Sequence, residues 1–273
     1  MVKATSVPLR DRIGYDAGAT RAEDALAWAA QHGFRYLDLN ADIGPNRLDS
    51  WSDKRIRDVR AACDRDGVQI GLHTLSGVNV GEFSPFVSDA VDQYMRAYVD
   101  LASGLKCEWV IVHAGFHFSN EVEARRKSSL DRLRRMADYA GGKRVKLILE
   151  NLNREPDKAE VHYMGFNVEE CRAYFDAIQS PHFGWAFTVN HSHLVPEGIG
   201  GFIDAFGVSR IGEVRLADNT GDYEVHMNPG EGTIDFAAVF KMLEGAGYKG
   251  HYSMAFGTPD DKLRARDLFA RYG

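Results

Sequence analysis

His73, His113 and Glu150 each close a short apolar run of the chain. A denser set follows: Asn190, His191 and His193, then Arg215, Asp218 and Asn219, then Glu224 and His226. Imidazoles and carboxylates move protons to and from carbon acids, and they also hold divalent cations such as Zn2+ or Mn2+. A lone histidine after an apolar run is ordinarily a hydrogen-bonded structural group. Repetition of the pattern at successive runs predicts that these groups converge in one polar pocket, where burial perturbs their pKa values.

Convergence needs a scaffold that gathers the ends of many runs. Eight runs read as strands, over residues 12–16, 36–40, 68–73, 109–113, 146–150, 183–189, 213–218 and 251–256. WVIVH and KLILE are almost continuously apolar, as expected of parallel strands buried on both faces. Helical segments lie between them, among others over 52–65, 88–102, 122–140, 199–205, 235–244 and 260–272. Thr20 with Glu23, and Asn167 with Glu170, fit capping boxes. Thr233 is placed to cap the segment over 235–244, which Gly245 and Gly247 close. Eight strand–helix units in an uninterrupted chain of 273 residues predict one (β/α)8 TIM barrel domain over 1–273, close to the typical ~250 residues of that fold. A doubly wound sheet is the alternative, but DAGATRAED after the first strand lacks the GxGxxG spacing. A barrel carries its active site at the C-terminal ends of its strands, where the polar residues above fall.

Composition narrows the function classes. Hydrophobic residues make up 44% and charged residues 26%, an ordinary globular balance. No run of ~18 apolar residues exists, so no membrane-spanning helix is expected. Residues 1–12 carry Lys3 and Arg10 without an apolar core and do not read as a signal peptide. The net charge of -6 runs against a nucleic-acid partner. The one basic cluster, Arg125, Arg126, Lys127, Arg132, Arg134 and Arg135, reads as the solvated face of a helix. Cys63, Cys107 and Cys171 are few and scattered, which suits a reducing cytoplasm and offers no CxxC site. The expected partner is a small-molecule substrate; a homo-oligomer stays open.

VIVHAG at 110–115, LILENL at 147–152, NHSHL at 190–194 and VRLADNTGDYEVHMNPGEGTIDF at 214–236 carry a resemblance. At these residues the chain resembles the xylose-isomerase-like TIM-barrel superfamily, which includes sugar and sugar-phosphate isomerases and epimerases, inosose dehydratases and apurinic-site endonucleases. The last stretch looks like a phosphate- or hydroxyl-facing loop of these barrels, with Gly230 and Gly232 allowing backbone to approach a ligand closely. The resemblance implies a divalent metal on a Glu, an Asp, a His and a second Glu at the ends of strands five to eight. Glu150 matches the first, but Thr188, Arg215 and Ala255 stand at the other three positions. A fixed positive charge at Arg215 sits where the cation belongs, and Arg215 could pair with Glu150 and take over its electrostatic role. The endonucleases' additional zinc ligands match His73, His113 and Glu150, and also His191, Glu224 and His226. A displaced Zn2+ or Mn2+ site at the first set is therefore open beside a metal-free site.

The resemblance implies a reaction that moves a proton next to a carbonyl, giving isomerisation, epimerisation or loss of water, so an isomerase, epimerase or lyase is expected. On that reading Glu150 is the base, His191 and His226 are acid partners or substrate ligands, and Arg215 stabilises an oxyanion. His73, His113, Asn190, His193, Asp218, Asn219 and Glu224 would bind substrate. Trp51, Trp185, Phe116 and Phe256 read as core packing first and pocket wall second. Two further classes remain: a non-catalytic barrel that binds a sugar-like ligand or a partner subunit, and a Zn-dependent hydrolase or lyase using the displaced set.

Overall fold

In the computed structural model, which describes residues 7–273, eight parallel strands close into a barrel in which every strand pairs with its sequence neighbours and the first with the last. They are β1 (Ile13–Asp16), β2 (Tyr36–Asn40), β3 (Gln69–His73), β4 (Trp109–Val112), β5 (Lys146–Glu150), β6 (Phe183–Thr188), β7 (Ile211–Leu216) and β8 (His251–Met254). Helices α1 (Ala22–His32), α2 (Asp53–Asp66), α3 (Pro85–Leu105), α4 (Val122–Gly142), α5 (Val168–Ala177), α6 (Gly198–Phe206), α7 (Phe236–Gly245) and α8 (Pro259–Phe269) follow the strands in turn. The barrel expectation holds. Of the 1–12 stretch, residues 1–6 lie outside the described residues. Among the described residues no helix is long and apolar enough to cross a membrane.

Alternation along the strands divides the barrel wall. Outward residues such as Leu147, Leu149 and Val214 pack beneath the helices in one large core. Trp109, Ile111, Ile148 and Ala186 point inward and form a small apolar plug on the β4–β6 side. The β1, β2, β7 and β8 side is polar inside: Asp38, Glu213, Arg215, His251 and Ser253 are all buried there. Gly71 on β3 is required by this layout, because a Cβ there would fall 2.1 Å from the Trp109 ring nitrogen.

Several helix starts differ from expectation. Thr20 caps nothing; the first N–H of α1 goes to Asn46 Oδ1, 24 residues away, and Glu23 pairs with Arg55 instead. Asn167 does cap α5, accepting from Glu170 N, but the Glu170 carboxylate turns to Gly165 N. Asp235 rather than Thr233 caps α7. Among the described residues the one reciprocal box, Thr258 with Asp261, starts α8.

Arg132 is a larger correction. It is buried, not on a solvated face. Its guanidinium ties α4 to α3 through Asp92 and Ser88 and to the β3–α3 loop through the carbonyls of Val80 and Glu82. Two features at the mouth were not legible in the sequence. Phe116–His117 pairs antiparallel with His162–Tyr163 to make a small ribbon over the barrel. Strand β6 also stops at Thr188, one residue early, and Val189–Ser192 makes a single helical turn.

Candidate active site

The C-terminal mouth holds a cavity of about 520 Å3 lined by side chains from nearly every strand end. Asp16, His73, His113, Glu150, Thr188, Asn190, His191, Arg215 and Lys262 reach it. A larger cavity of about 860 Å3 opens away from the axis, between α4 and α5. Two of its acids, Glu123 and Glu170, are already paired with Arg126, at 3.1 and 2.6 Å, and the imidazoles and carboxylates converge instead at the mouth.

Glu150 sits at the centre of the floor. One carboxylate oxygen accepts the Thr188 hydroxyl at 2.5 Å. The other lies 3.0 Å from His113 Nε2 and 3.4 Å from His73 Nε2, and the two imidazole nitrogens are 3.2 Å apart. The neighbours fix the tautomers. Thr74 Oγ1 spends its hydrogen on the Ile111 carbonyl, so it accepts from His113 Nδ1–H. Asp16 accepts from His73 Nδ1–H at 3.2 Å. Both Nε2 atoms therefore turn toward Glu150, and a proton on one of them, or a metal ion between all three, satisfies the facing acceptors. Burial and the nearby Arg215 charge oppose a proton on His73, but hydrogen bonds to Asp16 and Glu150 raise it to about 9. Burial alone would raise Glu150; His113, His73 and Arg215 overcome it and hold the carboxyl well below its usual range.

The floor does not fit a cation at the position the family quartet would give it. Thr188 and Ala255 offer no charged donor, and the Arg215 guanidinium fills the space. It donates to Asp16 and Glu213 at 2.8 Å and to Asp38 at 3.2 Å. The expected Arg215–Glu150 pair is its longest, with Nε 3.7 Å from the carboxylate. The displaced set does fit. His73, His113 and Glu150 place three donors 3.0–3.4 Å apart, near the ~3.3 Å edge of a tetrahedron with bonds of ~2.0–2.1 Å. Asp16 and Thr74 orient the two rings as outer partners of metal-bound imidazoles do.

His191 reaches the pocket because of the helical turn after β6. Its Nδ1–H donates to the Asn151 carbonyl at 2.8 Å, leaving Nε2 as an acceptor 3.8 Å from Glu224. His226 Nε2 lies 3.4 Å from the same carboxylate, and His191, Glu224 and His226 form a second group of donors within reach of one another. Burial lifts Glu224 to about 7 against hydrogen bonds from Asn190 and Asn219, and burial with the His191 charge lowers His226 to about 4.

Other expected ligands lie off the cavity. His193 points outward to Thr233. Asp218 is fully buried, and its carboxylate accepts the backbone N–H groups of Asn219, Gly230, Gly232 and Ile234. The two glycines thus wrap an internal anion rather than a ligand, and a Cβ at 232 would strike Asp218 at 2.3 Å. Asn219 and Glu224 stand behind the wall: Asn219 bonds the Asn190 carbonyl and Glu224. Trp185 is buried against Asn151, and Trp51 packs under Arg55. Phe256 alone of the four aromatics lines the mouth, its ring 3.6 Å from that of His226. Asp16 and Lys262 were missed. Asp16 closes β1 as His73 closes β3, a signal present in the sequence; Lys262 comes from α8, which only the folded barrel brings over the mouth.

The comparisons agree with this architecture. The model of the xylose isomerase-like TIM barrel matches residues 26–270. An uncharacterized protein of Methanocaldococcus jannaschii is 25% identical over 246 residues, covering 84% of this chain and 82% of that one. L-ribulose 3-epimerase of Methylomonas sp. is 24% identical over 246 residues, covering 86% of this chain and 78% of that protein. The crystal structure of a D-tagatose 3-epimerase-like protein superposes with a TM-score of 0.83 at 23% identity, covering 96% of both chains. The closed barrel and a family match running from α1 to the last turn place this chain in the xylose isomerase-like TIM-barrel family.

Proposed function

We propose that the chain is an isomerase or epimerase that moves a proton beside the carbonyl of a small polyhydroxylated substrate. One observation carries the reading: a buried, ionised Glu150 at the cavity floor, ringed by His73, His113 and His191. The epimerases among its relatives support the same class. Glu150, held as a carboxylate by His113, His73 and Arg215 against the cost of its burial, is the group placed to accept the proton from carbon. His191, with Nδ1–H fixed on Asn151, presents Nε2 to a substrate hydroxyl or takes part in the return transfer with His226. Asn190 adds a buried amide whose Oδ1 has no partner in the protein and can accept a hydroxyl of the substrate. Arg215 positions Asp16, and through it His73, more than it meets substrate. A Zn2+ or Mn2+ ion held by His73, His113 and Glu150 would polarise the substrate carbonyl and acidify the neighbouring C–H. We place the enzyme in the cytoplasm, where its three free, buried cysteines suit a reducing medium.

The test is solvent exchange in D2O with a panel of ketoses, inososes and keto acids, read by NMR. Deuterium should enter at the carbon beside the carbonyl of at least one compound, and Glu150→Gln should slow it ~10²-fold or more. Thermal stabilisation by a panel compound without any exchange would instead support the ligand-binding barrel. Elemental analysis and Zn2+ titration of wild type and His113→Ala check the cation separately: about one equivalent should bind the former and little the latter.

A further inference from the structure

The short ribbon over the mouth separates two cavities. Phe116 stands opposite Tyr163 and His117 opposite His162, and neighbouring residues of a strand point to opposite faces. Tyr163 lines the active-site cavity, whereas His117 and His162 both line the larger cavity of about 860 Å3 between α4 and α5. A ribbon of two residue pairs is too short to hold itself together in water. At its Phe116 end Asn79 supplies a tie, accepting from Phe116 N and donating to the Phe116 carbonyl, both at 3.0 Å. At the other pair the strands meet through two facing imidazoles.

Those imidazoles are poised as donors. His117 Nδ1–H donates to the Phe118 carbonyl at 2.6 Å, which fixes the tautomer and leaves the Nε2 lone pair free. His162 has no ring partner among the described residues beyond the face of His117. The two ring centroids are 5.7 Å apart with planes at 26°, against 5.2 Å and 36° for His73 and His113 on the active-site floor. Two imidazoles on one tetrahedral ion at ~2.0–2.1 Å put their centroids about 5 Å apart. A small rotation of these half-buried side chains closes the difference. The nearby cations do not stand against a metal: Arg126 is held by Glu123 and Glu170, and Lys127 by Asp131. Glu169, in the same cavity, makes no ion pair among the described residues and adds negative charge. Neutral imidazole selects Cu2+, Ni2+ or Zn2+ over Mg2+ and Ca2+, which take oxygen donors. We infer that His117 and His162 form a further metal site, separate from the floor, for an imidazole-preferring divalent ion. The bound ion bridges the two strands and staples the ribbon, and with it Tyr163, over the active-site cavity.

The experiment titrates the tag-free, chelator-stripped full chain with Ni2+ by calorimetry, with Mg2+ as the contrasting ion. Wild type should bind one more equivalent of Ni2+ than the double variant His117→Gln, His162→Gln, and Mg2+ should not occupy that position. Either single substitution should weaken the extra equivalent at least 10-fold; the single variants carry the test if the double variant does not fold. His113→Ala, which disables the floor donors, should retain it. Saturating Ni2+ should slow amide exchange at least 10-fold in peptides spanning residues 115–118 and 161–164 of wild type, and leave the double variant unchanged. Equal equivalents in wild type and double variant overturn the inference, as does loss of the extra equivalent in His113→Ala, which would assign it to the floor. A smaller effect of the single substitutions means that each imidazole binds alone, and it overturns the shared site. Binding with unchanged amide exchange overturns the staple.

Discussion

Replacing Arg215 by methionine removes the cation on which the polar half of the barrel interior is built. The guanidinium is 2% exposed and bonds Asp16 and Glu213 at 2.8 Å and Asp38 at 3.2 Å, from three different strands. Breaking one buried ion pair by removing a partner costs roughly 3–5 kcal/mol, because the remaining charge stays desolvated. Here three carboxylates lose their countercharge, but two relieve themselves by protonation: burial and mutual repulsion already raise Asp38 to about 7, and burial raises Glu213. The net loss at neutral pH should therefore stay near the single-pair figure of ~3–5 kcal/mol rather than a multiple of it. The sign of the pH dependence follows from Asp16. Burial acts to raise it, but its bonds to His73 and the Arg215 charge depress it below 3.8 in the wild type. That stability is present above the unfolded value and lost as pH falls through the folded one. Without the cation Asp16 rises, though its bond to His73 still holds it down, and Asp38 and Glu213 rise further above their unfolded values, so the gap to wild type narrows on acidification. Denaturant unfolding at about pH 7.5 and 5.5, followed by tryptophan fluorescence, measures both. A loss below ~1 kcal/mol at neutral pH, or a gap that widens on acidification, would refute the argument. Arg215→Lys should recover only part of the loss, because one ammonium cannot serve carboxylates in several directions as the guanidinium fork does.

Arg132→Met should destabilise the chain by about 3–5 kcal/mol, whereas Arg134→Ala, two residues along the same helix, should change stability by no more than ~0.5 kcal/mol; equal effects in thermal unfolding would contradict the buried tie seen for Arg132. Thr258→Ala removes the reciprocal cap of α8 and should cost ~0.5–2 kcal/mol, with faster amide exchange confined to that helix. Burial lifts Glu224 from 4.5 to about 7, so the stability it contributes is full below 4.5 and lost as pH rises through 7. Glu224→Gln should flatten the stability profile across that window, and an unchanged slope would show that Glu224 is not the group titrating there.

Much of the scaffold was legible because it depends on short-range pattern. WVIV and KLILE announce buried parallel strands, and the eight runs lie where the strands form, within a residue or two of their ends. The polar closers of those runs were legible for the same reason. Once the barrel is granted, a strand's last residues must face the mouth, and His73, His113 and Glu150 do. The errors arose where a side chain's partner lies far along the chain. Thr20 has the type and spacing of a cap, yet Asn46 supplies the bond. Arg132 sits in a basic run, yet carbonyls from the β3–α3 loop close around it.

The sequence by itself determined the barrel and the run after which each candidate residue falls, since these follow from periodicity and residue identity, and the family resemblance added that Thr188, Arg215 and Ala255 stand where three of the four metal ligands would. Tertiary structure alone decided what the remaining groups do. Asp218 with Gly230 and Gly232 reads like a ligand loop and folds into a closed nest of N–H groups around its own carboxylate. Arg215 reads as a partner for Glu150 and is claimed by Asp16 and Asp38 from other strands and by Glu213 on its own. Charge interactions and hydrogen bonds are fixed by distance in space, to within a few tenths of an ångström, and a linear pattern carries no information on that scale.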